Sequence, residues 1–344
     1  MLAICQVADT GPLESLAVML RAISIEPVLP NRAIRDRLRA IGCDTVLEIS
    51  DLVRSWGYEQ PFEMAEAGLN DMRRRDVIYV DVKAHRSYAK VVKEWTNLEG
   101  RVLWYRINGG KPEHVINERG DHGDEVNPPC PVLTPNQWYH EQGYKTAYAF
   151  WPPFHRVHEY HEKRIHDNHN KNKYDNPICL LHNANGWGYG ALIDVMRERF
   201  GLRIHGVGSP DGLINHREVS IRLSSALCMI HLKSSDAPGY AIYEALAAAC
   251  PIICTRRLIW RCRMEELLIP GETCLVFDRE THDGLTAEDV VNCTNEVAQH
   301  IKTLSNIDEN RRIGEAGCAK LKELMWSATK DALALVDFFK RNFK

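Results

Sequence analysis

Short apolar runs alternate with amphipathic stretches along most of this chain. LAICQVA opens it as a strand-like run, DTGP interrupts, and LESLAVMLRAI then repeats apolar residues at helical spacing. EPVLP is the next strand-like run, followed by the Arg-rich helical pattern RAIRDRLRAIG and by TVLEIS. DVIYVDV precedes the helical SYAKVVKEW, and RVLWYRI ends in Asn-Gly-Gly at Asn108. The polar segment 111–131, with its Gly and Pro residues, predicts a long loop, and PVLTP and YAFWPPF close this half. Strands that alternate with helices predict a parallel sheet covered on both faces.

Between His155 and Asn176 the pattern changes to HRVHEYHEKRIHDNHNKNKYDN, which is polar and nearly free of aliphatic residues. It predicts an inter-domain linker. A second alternating set then runs through PICLLH, the helical ALIDVMRERFG, LRIHGVG, the helical VSIRLSSA and LCMIHLK, and the chain is helical in character from Ala287 onward. The expected organisation is an N-terminal Rossmann-like domain over 1–155 and a linker over 156–175. A second Rossmann-like domain follows over 176–326, with a C-terminal helix over 327–344 that packs back on the first domain. Two α/β domains predict a cleft between them, with ligands at the C-terminal ends of strands.

Composition narrows the class. The 344 residues are 44% apolar and 26% charged, which fits a folded globular protein and not a disordered one. No apolar run has the length of a membrane span, and MLAICQVADTGPLES reads as a first strand and not as a signal peptide. Eleven scattered cysteines without a CxxC pair predict free thiols in a reducing cytoplasm. A net charge of −3 gives no global case for nucleic acid or membrane binding.

The block from Asp236 to Asp278 carries the chemistry: DAPGYAIYEALAAACPIICTRRLIWRCRMEELLIPGETCLVFD. An acid and a Pro-Gly pair lead into a helix with a second acid, Glu244. A helix N-terminus opened by Gly offers unpaired N–H groups and a positive dipole end, a ready site for phosphate. Glu244, in the early turns of the same helix, can reach sugar hydroxyls beside that phosphate. Diphosphate and sugar read by one element suggest a nucleotide-sugar donor.

Over residues 176–280 the chain resembles the donor domain of GT-B fold glycosyltransferases, in particular the large retaining group with two acids separated by seven residues. The motif is Asp236, APGYAIY, Glu244; LCMIHLKSS resembles the strand before it, IHGVGSP the preceding strand and Gly turn, and EELLIPGETCLVFD the closing segment. The resemblance implies transfer of a sugar from a nucleotide-diphosphate sugar to an acceptor hydroxyl, with retention and without a metal or other cofactor. It implies that Glu244 holds the ribose hydroxyls and Asp236 faces the donor sugar. The amides of Gly239, Tyr240 and Ala241 cradle the pyrophosphate, and Gly206 and Gly208 lie near the nucleobase or phosphate. Asn108 stands near where the first domain's cleft histidine is expected, and Asp9, Thr10 and Gly11 face the cleft on the acceptor side. The chain departs from the pattern in having Asp236 for Glu, and Ala249 and Cys274 for Gly. HNANGWGYG carries no cation where the family has an Arg/Lys pair, which leaves Lys233, Arg256 or Arg257 to meet the diphosphate charge.

Two other features need weighing. His155, His158, His161, His166 and His169 invite a metal reading, but no Cys or carboxylate set with ligand spacing completes one, and a solvated linker helix is the simpler account. Arg32, Arg35 and Arg39 share a helical face, and Arg73, Arg74 and Arg75 follow. They fit a solvated surface or a basic face for a polyanionic acceptor, including DNA carrying a hydroxymethylated pyrimidine. A third alternative is a nucleotide-sugar-binding protein without catalysis.

Overall fold

Parallel strands are buried on both faces, so each shows itself as a short apolar run, and the strands fall on those runs. The structure is a computed structural model that describes residues 2–6, 19–20, 26–29, 47–48, 77–81, 102–105, 131–134, 147–149, 157–169, 174–181, 189–233, 240–262, 264–278, 286–330 and 332–343. The chain divides into two compact units, one comprising Met1–Pro153 with Met325–Lys344 and the other Phe154–Leu324.

In the first unit, β1 (Leu2–Gln6), β2 (Glu26–Leu29), β3 (Leu47–Glu48), β4 (Val77–Asp81), β5 (Val102–Tyr105), β6 (Val132–Thr134) and β7 (Ala147–Ala149) form one sheet. Its order is β3-β2-β1-β4-β5-β6-β7, and every pair is parallel. This is the Rossmann order with one added strand, and its direction reverses between β1 and β4. Leu103 and Leu133, on β5 and β6, are fully buried. Asp9, Thr10, Gly11, Asn108 and the two arginine clusters lie outside the described residues.

The second unit holds β8 (Ile178–Leu180), β9 (Arg203–His205), β10 (Met229–His231), β11 (Ile252–Thr255) and β12 (Cys274–Phe277) in the order β12-β11-β10-β8-β9, again all parallel. This is the flavodoxin-like doubly-wound order, with its switch point between the first and third strands, β8 and β10. Its described helices are α1 (Val157–His169), α2 (Gly190–Phe200), α3 (His216–Ser225), α4 (Tyr240–Ala247), α5 (Arg256–Cys262), α6 (Ala287–Leu304) and α7 (Ile307–Lys330) as far as Leu324; the end of α7 from Met325 and α8 (Ala332–Asn342) fall in the first unit. Helix α2 packs on α6, whereas α1 packs on α3 and α4. Right-handed crossovers on either side of a switch point require such a division between the two sheet faces. The core joins both layers through Leu192, Met196, Ile204, Ile230, Ile253, Phe277 and Val297.

Helix ends carry the local signals that stop and start them. Asn215 and Glu218 form a capping box at α3, and Thr286 and Asp289 form one at α6.

The stretch 156–175, expected from its polarity as a linker, contains α1 and belongs to the second unit. Val157, Tyr160 and Arg164 share one face by helical spacing and are all buried. An arginine at a core-facing position hides this face from a search for apolar periodicity. Arg164 Nη1 donates to the carbonyls of Leu223, Ser224 and Ala226 at 2.9, 3.3 and 3.2 Å, and Nη2 donates to Asn310 Oδ1 at 2.9 Å. One guanidinium thereby takes up carbonyls left without intrahelical donors at the end of α3 and ties α1 to α3 and α7.

Candidate functional site

The second unit's switch point directs attention to the chain leaving β8 and β10, because strands diverge there and helix N-termini face the gap. Beyond β10 come Leu232 and Lys233, and α4 starts at Tyr240. Residues 234–239, with Asp236 and Gly239, lie outside the described residues, as do 182–188 beyond β8. Tyr240 and Ala241, half-buried, form the opening of α4, so their N–H groups belong to the first turn, which has no intrahelical acceptor.

Glu244 lies one turn further in and is only 5% exposed. Its neighbours Ile242, Tyr243, Ala245, Leu246 and Ala247 are buried too, so α4 is enclosed on nearly every side. Buried carboxylates are rare without partners. Here Tyr160 of α1, itself 1% exposed, donates its hydroxyl to Glu244 Oε1 at 3.4 Å. The Tyr243 ring meets that of Tyr240 at 5.9 Å between centroids.

Cations gather at the neighbouring strand ends. Lys233 follows β10, and its carbonyl accepts from Thr255 Oγ1 at 3.4 Å; Thr255 Oγ1 in turn accepts from the Leu258 N–H at 3.1 Å, capping α5. Arg256 and Arg257 open α5 directly after β11. Arg256 Nε pairs with Asp278 Oδ1 at 3.1 Å in an exposed bridge, so part of its charge is already met.

The turn after β9 is held closely. Gly208 has φ 69, in the left-handed region that favours glycine, and Gly206 has φ 155. The Gly206 N–H donates to Gly212 O at 2.9 Å, and Ser209 Oγ donates to Leu181 O at the end of β8. Asp211 Oδ2 accepts from the Ile204 N–H and from Arg197 Nη1, each at 2.7 Å. Burial pushes the Asp211 carboxyl up, but the Ile204 amide and the Arg197 and Arg203 guanidiniums outweigh it and hold it below the ordinary value of 3.8.

Two departures from the resembled pattern have structural counterparts. Ala249 has φ 51, the only non-Gly residue with positive φ among those described, so a position where the resembled family carries Gly does require left-handed backbone. Cys274 is fully buried on β12 beside Cys254, and that contact together with burial pushes the Cys254 thiol well above its ordinary value.

Thus the structure places Lys233 just beyond β10, Tyr240, Ala241 and Glu244 on α4, and Gly206 and Gly208 in the turn after edge strand β9. Sequence reasoning missed Tyr160 and Thr255. Tyr160 carried a signal, the Val157–Tyr160–Arg164 spacing, and Thr255 carried one as an N-cap residue before a helix.

No protein-family model matches the chain, and no curated protein matches it in sequence. Solved structures do match. Anabaena HepE in complex with UDP-glucose superposes with a TM-score of 0.65 at 11% identity, covering 98% of this chain and 99% of that one. The catalytic domain of starch synthase IV from Arabidopsis thaliana, bound to ADP and acarbose, gives 0.56 at 10% identity with 99% of each chain covered. WaaG, a glycosyltransferase involved in lipopolysaccharide biosynthesis, gives 0.55 at 13% identity, covering 98% and 99%. At these identities the likeness establishes the fold, GT-B, with two Rossmann-like units.

Proposed function

We propose that the chain is a nucleotide-sugar-dependent glycosyltransferase whose second unit holds the donor. The observation that carries this reading is the position of α4: it starts beyond the strand end at the β8/β10 switch point and has a buried carboxylate, Glu244, one turn inside. In this reading the amides of Gly239, Tyr240 and Ala241 receive the diphosphate, and Lys233, Arg256 or Arg257 supplies positive charge. Glu244 accepts hydrogen bonds from the ribose hydroxyls, and Gly206 and Gly208 lie beside the nucleobase or phosphate. Asp236 faces the donor sugar, Asn108 the reacting centre, and Asp9, Thr10 and Gly11 the acceptor.

The acceptor hydroxyl attacks the anomeric carbon on the face from which the diphosphate leaves; a new C–O bond forms with retention, the bond to the diphosphate oxygen breaks, and the hydroxyl proton passes to the departing diphosphate. Amides and cations stabilise the charge that develops on the leaving diphosphate, and holding the two substrates together supplies much of the remaining rate. Neither a metal nor another cofactor is required if those groups meet the charge. Eight cysteines of the second unit, from Cys179 to Cys318, are free and buried, which accords with a cytoplasmic location. A structural likeness to proteins solved with UDP-glucose and ADP supports the donor class.

Thermal unfolding with UDP-, GDP- and ADP-glucose tests the reading. A donor at 100 times its Kd stabilises the native state by about 2.7 kcal/mol. One of the three should raise Tm, and Glu244→Gln should abolish that rise. Asp236→Ala should lower turnover more than donor binding. No stabilisation by any of the three nucleotide sugars would refute the proposal. A salt-sensitive gel shift with duplex DNA tests the polyanionic acceptor separately, and no shift at low salt excludes DNA.

A further inference from the structure

The second unit contains a cavity of about 520 Å³ away from α4, lined among others by Asp175, Asn176, Arg203, His205, Arg222 and Ser225. Its walls are the chain entering β8, one face of edge strand β9 and the last turn of α3. Asp175, Asn176 and Ala226 lie at the end of the sheet where β8 begins, opposite the end at which α4 starts. Arg203 and His205 are two apart on β9 and so project to the same face, and Arg222 and Ser225 are three apart on α3. Its volume lies within the range of small-molecule sites.

The charges lining it are not balanced. Arg203 approaches Asp211 Oδ1 at 3.5 Å and is 63% exposed, while the other oxygen of Asp211 is held by Arg197 and the Ile204 amide at 2.7 Å. Two guanidiniums therefore share one carboxylate. Arg222 makes no ion pair among the described residues, and its exposed side chain is available to a ligand. His205 is 8% exposed, and its Nδ1 has no hydrogen-bond partner among the described residues. A buried polar atom without a partner is destabilising, and a ligand or an ordered water can supply the missing bond. Against these stands a single lining carboxylate, Asp175, next to the Asn176 amide.

We infer that this cavity binds a small phosphorylated sugar, with Arg203 and Arg222 on the phosphate and Asp175, Asn176 and His205 on hydroxyls. Planar guanidinium forks match phosphate geometry, and with Arg197 counted three guanidiniums outweigh the carboxylates of Asp211 and Asp175. A carboxylate and an amide side by side suit a polyol, since hydroxyls donate to the first and exchange bonds with the second. A bare inorganic anion would leave both groups unused, with the Asp175 charge opposing it. The site shares no residue with the proposed donor set, although His205 directly precedes Gly206 of that set, and it does not rest on the donor reading.

The test uses the full chain with glucose 6-phosphate as probe, and glucose, inorganic phosphate and sulfate as comparison arms. Calorimetric titration should show glucose 6-phosphate binding to the wild type at least tenfold more tightly than any comparison arm. The Arg203→Gln/Arg222→Gln variant should weaken that binding at least tenfold while its ligand-free Tm stays close to wild type, since both side chains are exposed. Asp175→Asn should weaken glucose 6-phosphate and leave or strengthen inorganic phosphate. Glu244→Gln should leave glucose 6-phosphate binding unchanged, which separates this site from the donor site. The inference is overturned by no binding at 10 mM probe (roughly the weakest affinity worth assigning), by equal affinity for inorganic phosphate or sulfate, or by binding that survives the double arginine change.

Discussion

Replacing Arg164 with methionine tests how the second unit is held together. The side chain is 4% exposed and makes four hydrogen bonds, three to carbonyls at the end of α3 and one to Asn310 Oδ1. Its guanidinium also lies 4.7 Å from the centroid of the Tyr174 ring. Asn310 donates in turn to the carbonyls of Leu227 and Leu304 at 2.8 and 3.1 Å, so the network spans α1, α3 and α7. Methionine keeps much of the aliphatic stem and removes all five donors. Hydrogen bonds to a charged group contribute about 1.5–3 kcal/mol each, but the guanidinium's own desolvation offsets a large part of their sum. The acceptors left behind are buried, and each costs about 1–3 kcal/mol unless water reaches it. A net loss of about 3–5 kcal/mol is therefore expected, close to that for breaking a buried ionic network. For a unit of this size each kcal/mol moves Tm by about 2–4 °C, so the transition should fall by roughly 6–20 °C. Differential scanning calorimetry reads this directly. Arg199→Met is the control, since Arg199 bonds Asn295 at 2.9 Å on an exposed surface and should move Tm by less than about 2 °C. If Arg164→Met moves Tm no more than the control, the network does not hold the helices together.

Three further outcomes follow from the packing and charge of the second unit. A methyl group at Gly314 of α7 would stand 1.9 Å from the Ala249 carbonyl oxygen, so Gly314→Ala should cost about 1–3 kcal/mol in urea unfolding, and an unchanged midpoint would contradict the close approach. The folded pKa of Asp211 is depressed, so its contribution to stability is complete above the unfolded value near 4 and is lost as pH falls through the lower folded value; Asp211→Asn should remove that part of the acid dependence of Tm and leave the rest. Of the eleven cysteines, eight are described as free and buried, and burial pushes the Cys179 thiol up to about 12, so a thiol reagent at pH 8 should label no more than three per native chain and all eleven in denaturant.

The strands and the Asp236–Glu244 spacing could be read from the chain alone, because both depend on neighbours within a few residues. LAICQ, VIYVD and IICT are strands in the structure as their apolar, β-branched character indicates. The need for an unusual backbone at 249 was also visible, through the family pattern that carries Gly there. Strand order was not visible, since the sequence VIYVD pairs equally well with any apolar strand, and the order β3-β2-β1-β4 depends on which crossover closes over which strand. Tyr160 reaches Glu244 from 84 residues away, and Arg164 reaches Asn310 from 146. Periodicity reports which face of a helix is turned inward, but only packing decides what that face meets. A polar stretch with an arginine turned inward looks solvated until the carbonyls it satisfies are folded against it. The α4 segment and the acid it carries were therefore local and legible, whereas the burial of Glu244 and the partner that approaches it arose only when α1 folded across the helix layer.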